Sequence, residues 1–304
     1  MQTSLYMTML QANPMARFLR SGETPTAVWD FSSGYYTKGW SLSRNSTAHW
    51  FDTMGNLNTA SVDMPRFVPT VAGRALVVEA GSTNLIDALN RTYINLDTVE
   101  VGETAGGMEF TSVSSSSSGS YLQFNGVDIS SLSVGQGVNL SMVIRENSDS
   151  FALWLGIGTT GAGRVRCSVD PSALSATISQ DVDNTGATAE LISLGGGNLR
   201  VSVSGALISS EASELIRIHE VSGTMQYAHP QVEAQNKAST VIPGNFQGAV
   251  RAADQLTFEH ADGTYTAVVR RADGSDTEIA ATVIGGTWSP PNLFGDILSI
   301  ALYA

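Results

Sequence analysis

Apolar and polar residues alternate in short runs through the middle of the chain. Tyr121-Leu122-Gln123-Phe124, the stretch 138–144 (VNLSMVI) and Leu199-Arg200-Val201-Ser202-Val203 each place apolar side chains at every second position. That is the period of a strand with one face in a core. The stretch 151–157 (FALWLGI) is almost wholly apolar, as in a strand buried on both faces. Turn-forming clusters separate these runs at 114–120, 135–137, 147–150, 159–163, 181–186 and 195–198. Strands spaced this regularly, with no long helical pattern between them, predict an antiparallel sandwich over residues 85–242.

Residues 243–304 predict a small C-terminal β module. Asp262-Gly263 and Asp273-Gly274 each fall between alternating stretches, a strong hairpin signal. Gly285-Gly286-Thr287-Trp288-Ser289-Pro290-Pro291 turns into a last strand, 297–303, expected to close this small sheet. Residues 1–84 differ. Their periodicity is poor, and Trp29, Phe31, Tyr35, Tyr36, Trp40, Trp50 and Phe51 are interleaved with Gly and Pro. An extended segment cannot bury so many rings against itself. The expectation is an extended arm with short strands and a helical turn near 7–10. Its rings would lie on another part of the chain, a sister subunit or a partner. The chain is thus predicted all-β: an extended N-terminal arm, an antiparallel β-sandwich and a small C-terminal β module.

Composition sharpens this picture. Charged residues make up 14% of the 304 residues, against about 25% in ordinary domains, which favours turns and strands over solvated helices. The net charge of −12 is uneven: six basic and five acidic residues in 1–84, ten basic and 23 acidic in 85–304. An acidic body repels phosphate backbones, so no nucleic-acid partner is expected. No apolar run reaches the length of a membrane span, and no membrane partner is expected. The first 15 residues lack a basic region, so no secretory leader is expected. The single cysteine, Cys167, between Val165 and Val169, reads as a small buried hydrophobe on a strand.

Residues 44–57 (RNSTAHWFDTMGNL), with Arg44, Asp52 and Gly55, are similar to an "R-S-AT-(Y/F)-D-G-L" block of bacteriophage tail-fibre, tail-spike and head-spike proteins. Pro65-Arg66-Phe67 matches "PRF", and residues 76–85 (LVVEAGSTNL), with Glu79 and Asn84, match "LLIE--TNL". Gln231 and Glu233, residues 239–243 (STVIP), and Arg251 to Asp254 resemble the "GAQ-E-G... TSYIPT... TRAAD" seam. In that family the seam closes a lectin-like jelly roll and opens a C-terminal module. The pattern of the last 43 residues, from Asp262-Gly263 onward, is also similar to the terminal module of these proteins.

Residues 194–203 (LGGGNLRVSV) are similar to the "GWYR-(V/C)-S" strand of phage and carbohydrate-binding jelly rolls, with Gly197-Asn198 where an aromatic is expected. The resemblance implies a virion location. It also implies a particle-anchoring arm over 1–84, a concanavalin- or carbohydrate-binding-module-like jelly roll over 85–242, and a terminal module over 243–304. The implied partners are the chain itself as a homotrimer, other capsid or tail proteins, and host-surface polysaccharide met during host attachment. The alternative is a capsid or tail decoration protein that cements neighbouring subunits without binding a receptor.

Candidate chemistry is sparse. His49, His219, His229 and His260 are scattered, with no metal-binding or protease spacing, and no nucleophile elbow is present. No repeat of the kind that builds a glycan-cleaving β-helix is visible. No catalytic residue and no cofactor are therefore expected, and a glycan-degrading enzyme is the least supported reading. Glu79, directly after a short apolar strand, is expected to pair with Arg66 or Arg44. Asp170, Asp181 and Asp183 are the candidates for a structural Ca²⁺, with plain Asx turns as the competing reading. Sugar binding needs aromatic faces beside convergent polar groups. The candidates are Tyr121, beside the serine-rich loop; Trp154, which could equally be core; and Trp288, in a turn where Pro290 and Pro291 could pack on it.

Overall fold

The computed structural model describes residues 18, 20, 22–33, 38–87, 89–117, 119–125, 127, 132–157, 165–183, 185–209, 216–221, 223–242 and 248–304. The helical turn expected near 7–10, and Tyr35 and Tyr36, lie outside the described residues. All regular structure among those described is β, apart from a single 3₁₀ position at Phe18, and every paired strand is antiparallel. The described residues fall into two compact units: one within Met1–Asn45, Val62–Ala80 and Ala253–Ala304, the other within Ser46–Ser61 and Gly81–Ala252. We call them the terminal unit and the central unit.

The central unit is a jelly-roll-like β-sandwich of two six-stranded sheets. In one, the strand order is Thr188–Gly195, Asn198–Ala206, Gly137–Arg145, Gly223–Glu233, Met108–Ser115, Thr98–Ala105. In the other it is Ser175–Asp181, Val165–Asp170, Phe151–Leu155, Ile216–His219, Tyr121–Phe124, Arg91–Ile94. Alternation does what it predicts. Val138, Leu140, Met142 and Ile144 of the first sheet meet Leu122, Phe124, Leu153, Cys167, Ile216 and Ile218 of the second in one core. Each such aliphatic side chain contributes about 1.5–3 kcal/mol when fully buried.

The two outer faces of this sandwich differ. On the first sheet, Phe110, Met108, Val143 and Ala228 point outward into a second apolar cluster with Phe51, Leu57 and Val241. Phe51 and Leu57 belong to the hairpin of Ala48–Phe51 and Leu57–Ala60. Its turn is fastened by Asp52, whose Oδ1 accepts from the amides of Met54 and Asn56. Gly55 takes φ +76°, and a Cβ there would stand 2.0 Å from the Gly195 carbonyl oxygen. The hairpin can therefore dock on the 195–197 turn only because both partners are glycines. Asn198, in the place of the expected aromatic, is buried and donates to the Gly55 carbonyl at 3.0 Å.

The terminal unit revises the expected arm and the expected boundaries at 84/85 and 242/243. Ala27–Asp30, Arg66–Thr70 and Gly73–Val78 join Gly263–Arg271, Asp276–Val283 and Gly295–Tyr303 in one sheet, while Trp40–Ser43 pairs with Gln255–Glu259. Trp29, Phe31, Leu42, Phe258, Trp288 and Ile300 share its core, with Trp40 packed against it. Trp29, Phe31 and Trp40 of the first quarter are thus sheltered by the last quarter of the same chain. Gly295–Tyr303 lies inside this sheet, paired with Gly263–Arg271, Gly73–Val78 and Ala27–Asp30. Asp273-Gly274 makes the expected hairpin. Asp262-Gly263 does not, because the strand before it pairs with Trp40–Ser43 and Thr287–Trp288 instead.

Candidate functional site

The residues that carry the phage resemblance are largely buried polar anchors. In the terminal unit, Asp254 has a fully buried side chain lying 2.9 Å from Arg44 Nη1 and 2.6 Å from Arg66 Nη2. Its Oδ2 also accepts from the Glu79 amide at 2.9 Å. Arg66 then pairs with Glu79 Oε2 at 2.5 Å. One carboxylate thus ties the segments carrying residues 44, 66, 79 and 254 together. Pro65, directly before Arg66, is half-buried.

In the central unit the buried carboxylate is Glu233. It accepts from Ser82 Oγ (2.6 Å), Gln231 Nε2 (2.7 Å), Gln235 Nε2 (2.7 Å), and the Ser239 amide and hydroxyl. Gln231 Oε1 accepts from the Ile242 amide, and Asn84 Oδ1 from the Val232 and Ile86 amides. Arg251 is buried, and its strand pairs with Ser82–Thr83. Carboxylates so fully engaged hold chain segments together and have little capacity left for a ligand.

The second sheet of the central unit carries the candidate site on its outward face. Because Ile216 and Ile218 point into the core, Arg217 and His219 point out. Register places Tyr121 and Ala152 on either side of His219, and Trp154 and Gln123 on either side of Arg217. His219 stacks on Trp154 with centroids 4.0 Å apart and planes 15° from parallel, and on Tyr121 at 5.7 Å and 10°. The Arg217 guanidinium lies 4.1 Å from the Tyr121 centroid and 5.7 Å from that of Trp154. Its Nε donates to Gln123 Oε1 at 2.8 Å. Sequence reasoning did not name Arg217 and set His219 aside as one of four scattered histidines. Their signal was the Ile216/Ile218 alternation, which becomes informative only once this strand is known to lie between those of Tyr121 and Trp154.

Of the three aromatic candidates, two therefore meet and one does not. Tyr121 is half-buried. Trp154 is 8% exposed, outside the sandwich core and covered by His219 rather than by aliphatic side chains. Trp288 packs in the terminal-unit core, 5.5 Å from Phe258, and offers no face to a sugar.

Beside the aromatic stack lies an open depression of about 360 Å³. One rung of the sheet explains it: Thr177, Ser168, Ala152 and His219 lie side by side on four adjacent strands. The two middle residues are small, so the face is hollow there. Ser150, Asp170, Ser175 and Glu220 complete the polar part of the lining. Glu220 pairs with Arg166 across the intervening strand, and its Oε1 is 3.7 Å from His219 Nδ1. Its backbone is left-handed, φ +54°, a conformation that is uncommon for residues with side chains and found where surroundings impose it. Here its amide donates to the Ser120 carbonyl at 3.0 Å.

The three aspartates offered for Ca²⁺ do not converge. Asp170 and Asp181 sit at opposite ends of the paired strands Val165–Asp170 and Ser175–Asp181. Asp170 Oδ1 accepts from Ser172 Oγ and the Ala173 amide, and these bonds hold its carboxyl below the usual range. Burial would raise Asp181, but the Thr185 and Ala187 amides outweigh it and its carboxyl also ends low. Asp183 follows Asp181 in the same turn. Both hydrogen-bonded carboxylates are Asx-type caps, and among the described residues no three His, Cys, Asp or Glu side chains group as a metal site. Burial pushes the Cys167 thiol up to about 11, as suits a core residue. No helix among the described residues is long and apolar enough to cross a membrane. No protein-family model matches the chain, and no curated protein matches it.

Proposed function

We propose that this chain is a structural component of a phage or phage-like virion, of the fibre or spike type, and that it contacts host-surface glycans through the outward face of the central sandwich. The observation that carries the binding half is the Tyr121–His219–Trp154 stack with Arg217, beside a hollow lined with hydroxyls and carboxylates. One outer face of the sandwich is covered by the 48–60 hairpin; the other holds this cluster. Rigid aromatics next to convergent polar groups are the usual make-up of a site that orients a small polar ligand.

The virion half rests on the sequence blocks. Their spacing has a physical reason here, because Arg44, Arg66, Glu79 and Asp254 form one buried ion network, while Asn84, Gln231 and Glu233 form buried polar clips. The anchoring role first given to residues 1–84 passes to the terminal unit they help build. The trimer now stands on the resemblance alone, since Trp29, Phe31, Trp40 and Phe51 pack within the chain. One observation favours the decoration reading instead: Trp154 and Tyr121 already have His219 and Arg217 against their rings. Electron microscopy of particles carrying a labelled chain, together with a glycan array, separates the two. A projecting label and glycan hits support the fibre or spike; a flush label and no hits support cement.

A further inference from the structure

We infer that the hollow over Ala152 and Ser168 seats one neutral sugar ring, with the Glu220 carboxylate accepting from a pair of its vicinal hydroxyls. This rests on the glycan-binding reading above and names the ligand class and the subsite. The hollow is built by the sequence of one rung. Small Ala152 and Ser168 form its floor, with Thr177 on one side and, on the strand that ends in His219, Glu220 on the other. Its volume of about 360 Å³ is at the small end of ligand sites, the scale of one or two rings rather than a long chain.

The chemistry of the lining selects the ligand. Hydroxyls accept from and donate to a polyol, whereas a carboxylate only accepts, and its two oxygens match two adjacent hydroxyls. Arg166, next to the hollow, is already neutralised by Glu220, and Arg217 is engaged over Tyr121 and by Gln123. With Asp170 also in the lining and a chain charge of −12, an acidic sugar meets no spare cation among the described residues of the hollow. Glu220 is placed by geometry the chain would not adopt by default. Its left-handed backbone carries the carboxylate from the end of Ile216–His219 to the rim of the hollow.

The test is calorimetry on the full chain with methyl glycosides of glucose, galactose and N-acetylglucosamine, and with glucuronic and N-acetylneuraminic acids. At least one neutral ring is expected to bind and the acidic sugars are not. Glu220→Gln should weaken the neutral ring about tenfold or more, the loss of a charge-assisted acceptor. Ala152→Leu should abolish binding by filling the floor. Thr177→Val, nearly isosteric at an exposed position, serves if Ala152→Leu fails to fold. It should weaken binding severalfold. Preference for an acidic sugar overturns the inference. So does binding that survives all three changes but is lost in Tyr121→Ala; that result leaves the sheet-face reading standing. No binding of any saccharide overturns both.

Discussion

Replacing Asp254 by Asn should be among the most damaging single changes in the terminal unit. The side chain is fully buried between Arg44 at 2.9 Å and Arg66 at 2.6 Å, whose side chains are buried too. Asn keeps the shape but removes the charge, and it presents an NH₂ toward groups that are all donors. Arg66 retains Glu79, and Arg44 retains the Met64 carbonyl at 3.1 Å. The central neutralisation is lost, however, and removing one member of a buried pair costs about 3–5 kcal/mol. For a unit whose urea dependence is about 2 kcal/mol per molar, that moves the midpoint down by about 2 M. Trp29, Trp40 and Trp288 all lie in this unit, so tryptophan fluorescence during urea unfolding reads it. A shift below about 0.5 M at unchanged slope, some 1 kcal/mol, would refute the argument that one carboxylate holds these segments together.

Three further outcomes follow from the central unit. Gly55→Ala should destabilise it by several kcal/mol, because the added methyl would stand 2.0 Å from the Gly195 carbonyl and φ +76° disfavours a side chain; an unchanged melting temperature would contradict the docking of the hairpin. Cys167, buried with its thiol at about 11, should react with a thiol reagent at pH 8 only as fast as the unit opens, and rapidly in denaturant; fast labelling of the native chain would contradict its place in the core. Asp170 and Asp181 have lowered folded-state values, so their contribution to stability is complete above the ordinary value of 3.8 and is lost as pH falls through the folded values. Carboxyl titration by NMR should give both midpoints below 3.8, and a midpoint above it would reverse the sign.

Much of the strand content was legible because its cause is local. Residues 121–124, 138–144 and 199–203 alternate, and each is a strand with its apolar face in the sandwich core. The Asp273-Gly274 hairpin was legible for the same reason. What escaped was long-range. Ala27 pairs with Leu302, and nothing in either stretch names the other. The first quarter therefore read as an arm in search of a surface. The Trp154 run read as strand, but its outward face is covered by His219 and Arg217, residues more than 60 positions away. Buried Arg44 and Arg66 run against the usual placement of arginine at the surface. The pairing of Glu79 with Arg66 was expected from the sequence, whereas Asp254 as the partner shared by both arginines emerged only through the fold. The hollow over Ala152 depends on small residues being neighbours across strands, which register alone reveals.

The most direct measurement of the glycan-contact claim is an NMR titration of the full chain with a saccharide that scores on the array. The Trp154 indole, the His219 ring and the Tyr121 ring should shift together and saturate with one binding constant. A titration in which these three stay still while other residues respond, or in which no array saccharide moves any signal, would contradict it.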